Sequence, residues 1–342
     1  MASRQDTGYG NEEAEAATML TVSTSTGTGD GDARKKPRRA AGKRWFFREF
    51  NRRHIKEYLV FLAFIAPNVI LIALFVYRPL FSNMYYSLLN WTLGSTSATV
   101  VGLQNYIDFF TQPESWSTLR ITAIFVFFGV FGSMAIGLLI AVALNRKLPG
   151  STFARAAVFS PYVLSGVGVG IVWLFIFDPV YGALSPLLRY VGVNGPNWYL
   201  SPTWALVMVI IVYVWKNTGY AAVIYLAGLQ AVPNEILEAA AVDGAGKFVR
   251  FRRIVFPLLS PTTFFLLVTI TLSSLQSFDI IQIMTRGGPL FGTRTLVYDI
   301  YYQAFVAGRA GYSAAVSVIL FLILFVLTVL QMRYLEKRVH YT

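Results

Sequence analysis

Apolar residues along this chain fall into long blocks and do not alternate with polar ones at a strand or surface-helix period. Six blocks, at about residues 58–77, 119–144, 155–177, 203–229, 258–283 and 313–335, are each roughly 20 or more residues long. That is the length at which an α-helix crosses about 30 Å of hydrocarbon. In lipid every backbone polar group needs a partner within its own segment, so each block is expected as a helix. The pattern predicts an all-α membrane protein with about six transmembrane helices.

Composition agrees: the 342 residues are 55% hydrophobic and 13% charged, with a mean hydropathy of +0.55, values foreign to a soluble domain of this size. The net charge of +12 does not point to nucleic acid, because the basic residues sit beside the apolar blocks. With no cysteine and only two histidines, His54 and His340 near opposite ends, neither a disulfide framework nor a histidine-based metal or catalytic cluster is expected.

Residues 1–53 read as a disordered, acidic-then-basic cytoplasmic extension, and 54–342 as the six-helix domain. Stretches such as "TVSTSTGTGDGD" hold too few large apolar groups to offset the entropy of ordering. The extension also lacks the positive-then-apolar order of a secretory leader. From Arg34 to Lys56 the sequence turns strongly basic, which suits either a cytoplasmic anchor or an amphipathic helix on anionic headgroups. Lys and Arg recur in the 145–155 loop (Arg146, Lys147, Arg155), the 230–257 loop (Lys247, Arg250, Arg252, Arg253) and the tail (Arg333, Lys337, Arg338), placing both termini in the cytoplasm. The opposite loops, 78–118, 178–202 and 284–312, are longer and aromatic. They still carry Arg78, Arg120, Arg189, Arg286, Arg294 and Arg309, so the rule holds as a bias. Their Tyr and Trp residues are expected mainly as interfacial anchors.

The 232–257 segment breaks the apolar pattern on the inner side. Pro233 is expected to stop the preceding span, Asn234 to cap a helix over Glu235 to about Asp243, and Gly244 to end it in the left-handed region. An ordinary positive-inside loop with a short surface helix would share these features. "GAGKF" is no phosphate-binding P-loop, since Ala241 and Phe248 stand where that motif needs Gly and Ser or Thr.

The spacing of Glu238-Ala239-Ala240, three residues, Gly244, nine residues, Ile254, and Pro257 two residues beyond resembles the EAA loop of binding-protein-dependent ABC importer permeases, EAA-x3-G-x9-I-x-L-P, with Phe256 for the usual leucine. "VGLQNYIDFF", "RAAVFSPYVLSGVGVGIVW", "FDIIQIMTRGGP", "TLVYDIYYQAF" and "GYSAAVSVILF" are similar to the carbohydrate-uptake branch, which includes maltose and glycerol-3-phosphate permeases. The resemblance covers roughly residues 55–342 and implies an ABC importer type I permease fold in a bacterial plasma (inner) membrane. It implies no enzyme activity and no cofactor in this chain, ATP and Mg being bound by partner subunits. It further implies a second homologous permease, two cytoplasmic ATP-binding subunits and an extracytoplasmic solute-binding protein, with no nucleic acid. Glu238, Ala239, Ala240, Asp243, Gly244, Ile254 and Pro257 would then form the segment that docks on the ATPase.

Polar residues inside spans mark cavities or partner helices. Two clusters stand out: Trp215, Lys216, Asn217, Thr218, Gly219 and Tyr220 in the fourth span, and Ser273, Ser274, Gln276, Ser277, Phe278 and Asp279 in the fifth. Their mixture of amides, hydroxyls, charges and aromatic faces suits a sugar, and interhelical hydrogen bonding would use the same residues. In maltose-type permeases the corresponding stretches line the transport site, so the resemblance makes Asn217, Gly219, Tyr220, Gln276, Ser277 and Asp279 expected cargo contacts, with Trp215, Lys216 and Phe278 beside them. Lys216 could meet a phosphate, pair with Asp279, or snorkel to an interface. The expected cargo is a sugar or oligosaccharide, with glycerol-3-phosphate or a glycerophosphodiester as the alternative. An ion-coupled secondary transporter using Asp279 would have no reason to carry the 238–257 pattern, and an exporter-type subunit would contain or recruit ATPases without a binding protein.

Overall fold

The computed structural model describes residues 55–145, 150–192 and 195–335. The 1–53 extension, His54, His340, Arg146, Lys147, Lys337 and Arg338 lie outside the described residues. The chain divides into two compact units, 1–65 and 66–342. The described part of the first is the start of α1 (Ile55–Ile72), whose apolar side chains, such as Phe64, are exposed. Such a surface suits lipid and would be costly in water.

Among its described residues the second unit is helical with one two-stranded antiparallel hairpin, β1 (Leu89–Asn90) with β2 (Thr99–Val100). After α1 come a π-helical turn (Ala73–Tyr77) and α2 (Arg78–Tyr86). The span runs Glu57–Tyr86 and not 58–77. Arg78 and Pro79 do not end it, because Pro79 falls in the first turn of α2, where a missing N–H costs little. Past the hairpin, α3 (Gln104–Thr111) is held by Asn105, whose Nδ2 donates to the carbonyls of Ser87 (2.8 Å) and Leu89 (3.0 Å).

The centre of the bundle is α4 (Pro113–Leu144) packed along α8 (Pro202–Gln230). At Gly137 a side chain would strike Ala221 and Ala222, so the two backbones approach as small residues permit in membranes. Phe125, Met208, Val209, Val212 and Tyr213 fill the core between them.

Two expected spans are not single helices. Residues 155–177 form α5 (Ser151–Val163) and α6 (Gly166–Phe177), bent by 98° across extended Leu164 and Ser165. The short α7 (Leu184–Tyr190) follows on the way to α8. Residues 258–283 are likewise divided. Lys247–Leu258, comprising α10 (Lys247–Arg250), a π-helical turn (Phe251–Val255) and α11 (Phe256–Leu258), meets α12 (Ser260–Leu275) at 62°. A turn at Gln276–Phe278 then leads into α13 (Asp279–Met284). Among the described residues, four helices are thus long and apolar enough to cross a membrane, or up to six if each bent pair is one span. The apolar blocks hid both breaks because Gly, Ser and Leu at the joints barely interrupt hydropathy. Between α8 and α10 lies α9 (Asn234–Val242). Its N-cap is Pro233 and not Asn234, which is the first helical residue and makes no capping hydrogen bond.

Beyond α13, α14 (Leu296–Tyr301) and a π-helical turn (Tyr302–Val306) lead to α15 (Ala310–Leu330), which packs on α2, α3 and α14. This end is stitched by buried polar groups. Arg294 Nε donates to Asp299 Oδ1 (2.7 Å) and its Nη2 donates to the same oxygen. Gln303 Nε2 adds a third donor (3.1 Å), and Arg309 donates to Gln303 Oε1. The Arg294 guanidinium also lies over the rings of Phe291 and Tyr302. Removing one partner from a buried pair costs more than removing both. Asp299→Ala is therefore expected to lower stability by about 3–5 kcal/mol, and the joint replacement Arg294→Met with Asp299→Leu by much less. Unfolding of the detergent-solubilised protein measures the difference.

Candidate functional site

The break between α5 and α6 gathers the polar residues of the neighbouring helices. Where a helix stops inside a bundle, its last carbonyls and the next helix's first amides lose their intrahelical partners. Lys216 Nζ donates to the Tyr162 carbonyl at the end of α5 (2.8 Å) and lies 5.3 Å from the centre of the Tyr162 ring. The Tyr220 ring, one turn further along α8, stacks on Tyr162 (4.8 Å, 18°). On the other side of the break, Asp279 presses against Gly166, the first residue of α6: a side chain there would lie 3.0 Å from Asp279 Oδ2. A cation thus sits at a helix C-terminus and an anion at the following N-terminus, each where the backbone dipole favours it. The two charges also act on each other through space.

Lys216 is the middle residue of the 29-residue α8. At 1.5 Å per residue it lies about 20 Å from either end of its helix, beyond the reach of a lysine side chain, so snorkelling along α8 is excluded.

The remaining expected contacts divide. Asn217 is buried, with Nδ2 bonded to the Tyr213 carbonyl (2.8 Å). The Gly219 backbone lies directly against the Val158 carbonyl, where any Cβ would clash. Both serve helix packing in this conformation. Trp215 packs edge-on to Trp173 and is partly exposed beside a largely apolar groove of about 570 Å³ between α4, α5 and α8. Gln276 is exposed in the turn after α12, and the Ser277 backbone N–H bonds to Ser274. Phe278 packs on Tyr298 and Tyr301, away from Lys216.

Sequence reasoning missed three residues of this arrangement: Tyr162, Gly166 and Tyr213. The Tyr213 hydroxyl reaches the Ile270 carbonyl (3.5 Å) and faces Ser273 and Ser274, joining the two polar clusters. The available signal was the pair Pro161-Tyr162 and Ser165-Gly166 inside an apolar run, the mark of a discontinuous helix at a transport site.

Past the C-terminal end of α8, the 234–257 segment forms a compact knob. Gly244 has φ +78°, the Gly244 N–H bonds to the Ala241 carbonyl (3.1 Å) and the Ala245 N–H to the Ala240 carbonyl (2.9 Å). These two bonds are a Schellman cap, which only a residue tolerant of positive φ closes without strain. Glu238, Ala239, Asp243 and Gly244 are exposed, as is Val242. Ile254 and Pro257 are half-buried at the root, and Arg250 donates to the Leu237 carbonyl (3.2 Å), tying root to knob. Among the described residues no group of three or more His, Cys, Asp or Glu could hold a metal ion.

Residues 52–341 match the family model described as "Binding-protein-dependent transport system inner membrane component". The chain is 40% identical over 280 residues to the sn-glycerol-3-phosphate transport system permease protein UgpA of Agrobacterium fabrum, covering 81% of this chain and 94% of that one. It is 32% identical over 284 residues to the protein of the same name from Salmonella typhimurium, with the same coverage. Among solved structures it superposes on a chain of a bacterial ABC transporter involved in import of the acidic polysaccharide alginate. The TM-score is 0.72 at 19% identity, with coverage of 83% of this chain and 98% of that one. A second structure, of an alginate ABC transporter in complex with an alginate pentasaccharide-bound periplasmic protein, gives 0.71 at 19% identity, covering 82% and 96%. At this identity the structural likeness carries the fold alone.

Gly219→Ala separates packing from binding. A methyl at this position pushes α5 from α8 and is expected to cost about 1–3 kcal/mol of stability, read as a lower melting temperature without cargo; an unchanged melting temperature would mean Gly219 is not a packing residue.

Proposed function

Because this chain belongs to the family of binding-protein-dependent transport system inner membrane components, we propose that it works as one of two permease subunits of an ABC importer. It forms half of a cargo path at the α5–α6 break and transmits force through the 234–257 knob. Both termini and the knob face the cytoplasm, as the Lys and Arg in the 230–257 loop support. Two cytoplasmic ATP-binding subunits grip α9, and a solute-binding protein delivers cargo to the other end.

The observation that carries the cargo reading is the mid-span break flanked by Lys216, Tyr162, Tyr220 and Asp279. Carboxylate, ammonium and amide groups meet hydroxyls, and tyrosine faces meet the C–H surface of a sugar ring. The primary reading is therefore a sugar or oligosaccharide, with Gln276 and Ser277 reaching the same space when the bundle opens. A second reading, glycerol-3-phosphate or a glycerophosphodiester, is favoured by Lys216, whose ammonium is suited to a phosphate, and by the names of the relatives.

ATP-driven closure of the ATPases moves the knobs of both permeases, and the helices rock as rigid bodies to expose the break first outward, then inward. The Schellman cap and the Arg250 bond make α9 a stiff lever. Glu238→Lys is expected to leave the chain in the membrane while the ATPases separate from it on purification, or hydrolyse ATP without transport. Full retention with normal uptake in this variant would contradict the assignment.

Two measurements test the cargo. The ligand that raises the melting temperature of the partner binding protein defines the solute. Lys216→Gln in proteoliposomes is then expected to raise the half-saturating concentration for a phosphate-bearing cargo roughly tenfold or more, the worth of a charge-assisted hydrogen bond. A neutral sugar should be affected far less; equal effects on both would remove Lys216 from phosphate recognition.

A further inference from the structure

Between Gly244 and Phe278 the chain contains Lys247, Arg250, Arg252 and Arg253 and no acidic residue, whereas Glu235, Glu238 and Asp243 all lie on or at the end of α9. The opposite charges of the knob are thus segregated into two consecutive elements. The basic element, Lys247–Leu258, is bent 62° from α12. If α12 crosses near the membrane normal, this element lies much closer to the plane of the bilayer than to its normal. α12 itself, at 16 residues, covers about 24 Å, most of the roughly 30 Å hydrocarbon thickness, which puts its junction with the end of the basic element near the hydrocarbon boundary.

Its two faces differ. Val255 and Leu259 are buried, Phe251, Ile254 and Leu258 are half-buried, and Arg250 is held by the Leu237 carbonyl. On the open side stand Phe248 (74% exposed), Val249, Arg252, Arg253 and Phe256 (48% exposed). Phe248, Arg252 and Phe256 recur every fourth residue, so an arginine is bracketed by two aromatic rings. Aromatic side chains at headgroup depth, with cations among them and no acids, form a surface for an anionic bilayer.

From this placement we infer that residues 247–256 are a docking site for anionic lipid. Arg252 and Arg253 hold headgroup phosphates, while Phe248 and Phe256 lie among the upper acyl chains. Arg250 bonds to α9, so the lipid grips the root of the same lever that meets the ATPases. Anionic lipid then sets the resting position of α9, and ATP hydrolysis depends on lipid charge. The site rests on the membrane orientation above and is independent of cargo.

The test uses the complete transporter, with its partner permease and ATPases, in nanodiscs of phosphatidylcholine alone or with one third phosphatidylglycerol. A photoreactive phosphatidylglycerol is expected to label Lys247–Phe256, with the yield falling roughly tenfold in Arg252→Gln/Arg253→Gln and with added salt. ATPase activity of the unmodified complex should rise with phosphatidylglycerol, and that of the double variant should not, at unchanged ATPase stoichiometry. Labelling confined to other segments, or equal activity in both lipids, would overturn the inference even if the variant fails to assemble, because both are read on the unmodified protein. Loss of the ATPases from the double variant with no lipid dependence in the parent would assign this face to the ATPases. An unmodified complex that takes up neither sugar nor glycerol-3-phosphate, yet is labelled at Lys247–Phe256 and stimulated by phosphatidylglycerol, would count against the cargo reading and leave the lipid site standing.

Discussion

A helix interrupted inside a membrane protein must find partners for the carbonyls at one broken end and the amides at the other, since hydrocarbon supplies none. The bond from Lys216 Nζ to the Tyr162 carbonyl is this chain's answer at the end of α5, and at the start of α6 the Asp279 side chain lies close against Gly166. Much follows from the pair. It lets α5 and α6 diverge by 98° within an otherwise apolar bundle. It also leaves two opposite charges on either side of the break without an ion pair between them, so that under the proposed function a solute with hydroxyl or phosphate groups would replace one protein contact with one of its own.

Rigidity elsewhere makes such an exchange useful. α4 and α8 approach at Gly137 and Ala221 and share a close-packed apolar core, so they move as one body. One end is locked by the Arg294–Asp299–Gln303–Arg309 chain and by the Leu296 N–H bonded to Thr122 on α4 (2.9 Å). Elsewhere α9 is closed by its Schellman cap and braced through Arg250. Under the proposed function, displacement of so stiff an element would appear as relative motion at the joints, Leu164–Ser165 and Leu259, where the helices already bend.

Several of these features were legible in the chain itself. The blocks at 203–229 and 119–144 became α8 and α4 with little change, because long apolar runs have only one way to satisfy their backbones. Gly244 was readable because a helix followed by glycine and a basic run has a well-defined end. The breaks in 155–177 and 258–283 were not, since hydropathy averages over the two or three residues that make a joint. Asn217 and Gly219 show a second limit. Their residue types suit a sugar equally well as they suit helix packing, and only the Tyr213 and Val158 carbonyls against them decide. Tyr162 was missed for a related reason: the group that takes the Lys216 bond is its backbone carbonyl, which residue type does not reveal.

Under the proposed function, the same physics bears on how one break could receive either a sugar or a phosphate compound. The helix ends at the break present fixed partial charges of both signs whatever the side chains, positive at the α6 amides and negative at the α5 carbonyls. Lys216 holds the carbonyl end and Asp279 lies beside the amide end. Under the proposed function a neutral sugar would share both groups, its hydroxyls donating to Asp279 and accepting from Lys216. A phosphate would draw Lys216 toward itself, leave the Tyr162 carbonyl to another donor, and be repelled by Asp279. On that reading the balance of this one pair would set discrimination between the two cargo classes, and small changes around Tyr162 and Gly166 would shift it without altering the fold.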